Sequence, residues 1–281
     1  MEKIVKGHLV FVLHAHLPFV RHPGYDTPFI EENWLHEAIL ETYIPLIRVF
    51  RNLKKESVPF RITMSFTPTL SLMLTDEYLQ NQFRKYIKNL ISLAKHETKR
   101  TKNEPHLQYL ASRYLEHFLD TESIFEETTG DLTKLFLPFI ESGELEALTC
   151  PATHAFLPFY DSEKSVFRSQ LKNGRRTFRR IWGRDPKGIW LSECGYTESI
   201  EEELDREGFR YFLWTHMESH TQVLGQNLEC MLPWKWGVEC LPSGEILRVA
   251  NRFGVRSTGI LGTFVTESTT VTLGMTFLGM R

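Results

Sequence analysis

The sequence predicts an α/β fold, an incomplete TIM-like barrel carrying a helical insertion. Three observations lead there. Short apolar runs alternate with amphipathic stretches, the pattern of a parallel sheet with helices outside it. The first run, Leu9 to Leu13, ends in His14 and His16, and a later one, Ile189 to Leu191, stops just short of Glu193. A carboxylate at the carboxyl end of a barrel strand stands where such folds place reacting groups.

Leu9 to Leu13 reads as a buried strand, and Trp34 to about Lys55 as a helix bent at Pro45. The bend is expected because proline removes an N–H and crowds the preceding turn. Arg61 to Phe66 is a second strand, closed by Thr67-Pro68. Asp76 to about Arg100 and His106 to about Glu127 carry Leu, Lys and Glu at three–four spacing. They read as two long amphipathic helices that cover one side of the barrel. Asp131 to Glu141 is a further helix, Leu145 to Thr149 a strand, and Glu163 to Trp182 a helix with a solvated face of Arg175, Arg176, Arg179 and Arg180. Ile189 to Leu191 and Tyr211 to Trp214 complete the strand set, with a helix over Glu198 to Glu207 between them.

A chain of 281 residues with 42% hydrophobic content suits one or two domains around a sizeable core. The net charge of −2, without a basic tract, offers no footprint for nucleic acid or an anionic membrane. Cys150, Cys194, Cys230 and Cys240 lack CxxC or zinc spacing, so reduced thiols are expected. Leu9 to Leu13 is too short for a signal segment or a membrane span. The expectation is a soluble cytoplasmic protein with no cofactor.

Side chains two apart on a strand share a face, so His14 and His16 point the same way. Paired imidazoles suit metal ligation or contacts to sugar hydroxyls, whereas a single histidine is more often a core residue. Glu193 has two readings on its own segment: a reacting carboxylate, or a cap for the helix that follows. The 20 Phe and 6 Trp suit stacking on sugar faces and equally suit a core.

Four blocks in order, HAHLPFVRHPGY (14–25), NWLHEAILETYIPL (33–46), TCPATHAFLP (149–158) and GIWLSECGY (188–196), resemble glycoside hydrolase family 57. Within it they resemble the α-1,4-glucan branching enzymes and amylase-like members, over about residues 7 to 248. The resemblance implies a seven-stranded barrel and an α-1,4-glucan substrate. It implies that Glu193 is the nucleophile of a retaining mechanism and that His14, His16, His154, Trp190 and Trp34 contact substrate. Most members carry Pro or Ala where Ser192 stands; its side chain is expected to point away from Glu193. The family's acid/base is an Asp in a downstream block, followed by Gly-His-Trp-Trp, that this sequence does not contain. Glu198, Glu218 and Glu239 read as surface carboxylates, poor substitutes for it. Loss of a general acid costs ~10²–10⁴-fold in rate, so the chain is expected to be a slow or inactive transferase.

Three other readings stand beside this one. The same glycosyl-enzyme serves an α-amylase or a 4-α-glucanotransferase, according to whether water, a 4-OH or a 6-OH intercepts it. His14 and His16 with Asp26 would make the three-ligand zinc site of a hydrolase such as a polysaccharide deacetylase, although no Asp-Asp pair follows an early strand. A non-catalytic glucan-binding protein would use Trp34, Trp190, Trp214, Trp234 and Trp236, with Trp234-Lys235-Trp236 read as an exposed loop after Pro233.

The tail departs from the rest. Residues 256–281 are rich in Thr and Gly and lack an amphipathic period. From Asn251, reading each codon's last base with the next codon's first two permits QVWSxxYGYPGDFRYREYYRDxGYD. The family's branching enzymes carry a similar block after a turn matching Pro242-Ser243-Gly244. The expected organisation is a truncated catalytic barrel over 1–250 and an out-of-frame, non-homologous tail over 251–281. A genuine, divergent pair of C-terminal strands is the alternative.

Overall fold

The structure, a computed structural model, describes residues 8–25, 29–217, 234–240, 249–251 and 271–278. Its elements in chain order are β1 (His8–Ala15), α1 (Glu32–Ala38), α2 (Ile44–Lys55), β2 (Ile62–Phe66), α3 (Pro68–Leu74), α4 (Glu77–Arg100), α5 (Pro105–Glu126) and α6 (Thr133–Ser142). They continue with β3 (Leu145–Leu148), α7 (Lys164–Trp182), β4 (Gly188–Trp190), α8 (Ser199–Arg206), β5 (Tyr211–Met217), β6 (Trp234–Cys240), β7 (Val249–Asn251) and β8 (Val271–Leu278). The chain divides into two units.

The first unit holds the sheets. Parallel strands run in the order β3-β2-β1-β8, and a second sheet runs β4-β5-β6-β7. A parallel bridge, Thr149 to Ile189, joins the end of β3 to β4. It is closed by Trp190 N–H to Thr149 O at 2.9 Å, so β1 to β5 follow one another as parallel neighbours. That is the α/β alternation the sequence predicts. β6 departs from it by running antiparallel to β5. Trp234-Lys235-Trp236, expected as an exposed loop, is the start of that strand. β8, in the expected tail, pairs parallel with β1.

Helix α7 packs through a stripe of Phe167, Leu171, Gly174, Phe178 and Trp182, spaced three and four apart. Gly174 lets it come close: a Cβ there would stand 2.4 Å from the backbone oxygen of Cys150. Two of its arginines are more than a solvated face, because Arg175 and Arg179 both grip Asp185. At the opposite end of the same helix, Arg168 makes a two-pronged pair at 2.6 and 2.8 Å with Glu203, which is only 2% exposed. That guanidinium holds the Glu203 carboxyl below the usual range.

The second unit comprises Leu17–Phe60 and Leu70–Ser142. Just before Pro45, Ile39–Tyr43 forms a π-turn in which Ile44 N–H reaches Ile39 O. The wider turn takes up the backbone that proline cannot bond. In α4, Leu79, Phe83, Ile87, Ile91 and Ala94 form the buried stripe, and Phe83 meets Phe125 of α5 at 4.5 Å. Asp76 caps α4 through Leu79 N–H and anchors Arg21 at 2.7 Å. Glu32, fully buried, accepts from His22 N–H at 2.9 Å and from the Tyr78 hydroxyl at 3.2 Å. These bonds pin the segment after His16 to the ends of α1 and α4.

Candidate active site

The carboxyl ends of β1, β2 and β4, with the loop after β3, bring together His14, His16, Ser65, Thr67, His154, Trp190 and Glu193. The parallel register sets His14 opposite Ser65. His14 Nδ1 lies 2.6 Å from Ser65 Oγ, and His16 Nδ1 lies 3.5 Å from Thr67 Oγ1. The His16 and His154 rings stack at 3.8 Å, and His14 lies 5.2 Å from His154. The ring of Trp190 stacks on His14 at 4.6 Å.

His154 Nε2 stands 3.4 Å from Glu193 Oε1. The two side chains differ sharply in access: His154 is 6% exposed and Glu193 is 74% exposed. The carboxylate therefore faces solvent on a floor of imidazoles. The backbone at this point is unusual. His154, Glu193 and Cys194 all have positive φ, at 55°, 51° and 56°. Such conformations cost energy in a residue with a Cβ and concentrate at functional sites. At Gly195 a Cβ would meet the Phe156 ring at 2.3 Å, which ties the Glu193 turn to the loop that carries His154.

Burial sets the charge state of the cluster. It pushes His16 and His154 down to about 4, and His14 well below its ordinary value. His154 lowers its two neighbours further, while Glu193 pulls His16 partly back up. All three rings are thus uncharged at neutral pH, offering N–H dipoles and lone pairs but no net positive charge.

The remaining expected residues fall elsewhere. Trp190 is 1% exposed and packs beneath His14, so burial leaves it no face for a sugar and its part is to support the ring. Trp34 is 39% exposed on α1 of the second unit. Glu198 is exposed at the start of α8, Glu239 lies in β6, and Glu218 and Asp26 lie outside the described residues. Among the described residues no group of three His, Cys, Asp or Glu side chains is placed to hold a metal ion. Sequence reasoning passed over Ser65 and Thr67. Their signal was a Ser-x-Thr at the end of β2, in step with His-x-His at the end of β1.

Comparison with known proteins bears on the family and the fold. A sequence model described as Glycosyl hydrolase family 57 matches residues 10–239. The chain is 37% identical over 215 residues to the 1,4-α-glucan branching enzyme of Thermococcus kodakarensis, covering 74% of this chain and 31% of that protein. Among solved structures it is similar to the α-amylase AmyC of Thermotoga maritima, with TM-score 0.71, 41% identity, and coverage of 74% of this chain and 39% of that one. It is also similar to the branching enzyme of Pyrococcus horikoshii, with TM-score 0.67, 33% identity, and coverage of 74% and 42%. The chain thus spans about a third of the curated relative's length.

Proposed function

Because the chain belongs to glycosyl hydrolase family 57, we propose that it carries the nucleophile-bearing part of a retaining enzyme acting on α-1,4-glucan, and that the reaction is glucan branching. The observation that carries this reading is Glu193, open to solvent at the end of β4 above three uncharged histidines. In a retaining mechanism one carboxylate attacks the anomeric carbon while a second carboxyl group, roughly 5–5.5 Å away, protonates the departing oxygen. Glu193 is assigned the first role. Its oxygen forms an ester to C1 as the C1–O4 bond breaks, and the O4 of the leaving glucan takes the general acid's proton. A 6-OH of another glucan then attacks C1, gives its proton to the same group, now acting as base, and releases Glu193. His14, His16 and His154 are assigned to contacts with the sugar beside Glu193, and Trp34 to a contact with substrate.

A second reading, hydrolysis as in an α-amylase, is favoured by the 41% identity to the Thermotoga enzyme. Incubation with amylose separates them. Branching lowers iodine colour and creates links cut by a debranching enzyme, with reducing ends constant; hydrolysis raises reducing ends. Either product is expected only slowly, and a rate close to that of the full-length relatives contradicts this reading.

The run of parallel neighbours β1 to β5 supports part of a seven-stranded (β/α) barrel. The family match stops at residue 239, which supports treating 251–281 as foreign to it. The underlying DNA decides whether a shifted frame restores the family block. A cytoplasmic setting and a glycogen-like substrate complete the proposal; among the described residues no helix is long and apolar enough to cross a membrane.

A further inference from the structure

His14 is held from behind by a hydroxyl, and the register of two strands explains why. β1 and β2 run parallel with His14 opposite Ser65, and Thr67 N–H continues the ladder to Ala15 O at 3.1 Å. Every second residue of a strand shares a face, so Ser65-x-Thr67 presents its hydroxyls in step with His14-x-His16. The Ser65 contact, at 2.6 Å, is the short one; Thr67 stands back at 3.5 Å.

A neutral imidazole carries one proton, on Nδ1 or on Nε2, and the other nitrogen accepts. Ser65 is fully buried, so its O–H needs an acceptor inside the protein. His14 Nδ1 stands at 2.6 Å, in place to be that acceptor. The Cys150 thiol also faces the Ser65 hydroxyl, and burial keeps it protonated. A protonated thiol can donate to Ser65 Oγ and competes poorly for the Ser65 proton.

We propose that Ser65 is a positioning residue: by donating to Nδ1 it fixes His14 in the tautomer protonated on Nε2. His14 then offers an N–H donor at Nε2, not a lone pair. A donor there matches the oxygen of a sugar hydroxyl and is the wrong partner for a metal ion, which requires the lone pair. The use of that donor rests on the proposed glucan reading; the tautomer itself does not.

The test is two-bond nitrogen–proton NMR of the whole chain, with labelled histidine, at neutral pH. Wild-type His14 is expected as a single Nε2–H tautomer. Ser65→Ala is expected to give a mixture of tautomers, and Thr67→Val to leave His14 unchanged. A wild-type His14 protonated on Nδ1 overturns the proposal whether or not the variant folds, as does an unchanged tautomer in folded Ser65→Ala. Maltoheptaose should bind about 2- to 10-fold more weakly to Ser65→Ala, the worth of one misdirected hydrogen bond. A tautomer that shifts as expected with unchanged affinity supports the Ser65 assignment and overturns the glucan reading of the site.

Discussion

His154 and Glu193 meet at 3.4 Å, Nε2 to Oε1, with the imidazole buried and the carboxylate open to solvent. The contact sets an uncharged imidazole beside the carboxylate at the end of β4, with no hydrogen bond yet made: neither ring nitrogen of His154 has a partner among the described residues, so Nε2 is in place to donate to charge that develops there. Groups fixed in this way stabilise charge without reorganising, and removing one donor of that kind costs ~10²-fold in turnover. His154→Ala is therefore expected to lower the rate of glucan transfer by roughly tenfold or more, with the fold retained by circular dichroism. A rate within about twofold of the parent would show that His154 only fills space.

Acid should weaken the protein before its carboxylates titrate. His16, His154 and His36 have an ordinary value of 6.5, lowered in the fold to about 4, chiefly by burial. The unfolded chain binds these protons first, so stability is complete above pH 6.5 and falls as the pH drops toward about 4. Glu203, held low by Arg168, loses its contribution only at lower pH. Thermal midpoints across this range check the sign. His36→Phe, which keeps a ring against Phe83 and Tyr86, should flatten the decline.

Gly174 is expected to resist any side chain. Its Cβ would press on the Cys150 oxygen at 2.4 Å, and that oxygen belongs to backbone held beside the β3 end. Since a flexible side-chain tip is not what gives way, Gly174→Ala should destabilise by about 1–3 kcal/mol despite a better helix propensity. Denaturant unfolding measures it; a stabilised variant would contradict the close approach of α7.

Ser192 is a local flaw beside the site. Its side chain is 1% exposed, and its hydroxyl has no hydrogen-bond partner among the described residues. A buried orphan hydroxyl costs about 1–3 kcal/mol, so Ser192→Ala should be neutral or stabilising by about 1 kcal/mol. The same melting experiment checks it, with lower stability as the adverse result.

Much of this was legible in the residues. Strands β1 to β5 and the long helices announce themselves through apolar runs and three–four spacing, and each lies within a few residues of its expected bounds. α3 was missed because Pro68 was read as the end of a strand, although proline is equally at home in the first turn of a helix. Trp234-Lys235-Trp236 after Pro233 suggests a loop, yet Trp234, Trp236, Val238 and Cys240 alternate as a strand requires. His14, His16 and Glu193 were visible as motifs. The positive φ of His154, Glu193 and Cys194 was not, since only the packed loops around them impose it. Nor was the burial of Trp190, whose composition suits a sugar platform as well as a core.

The most direct measurement is covalent trapping. A fluorinated glucosyl fluoride that slows release of the glycosyl-enzyme should lose its anomeric fluoride and leave one fluoroglucosyl mass on the peptide that contains Glu193, and none on a Glu193→Gln variant. An adduct on a different carboxylate, or an equal yield from the variant, would contradict the assignment of Glu193 as the nucleophile.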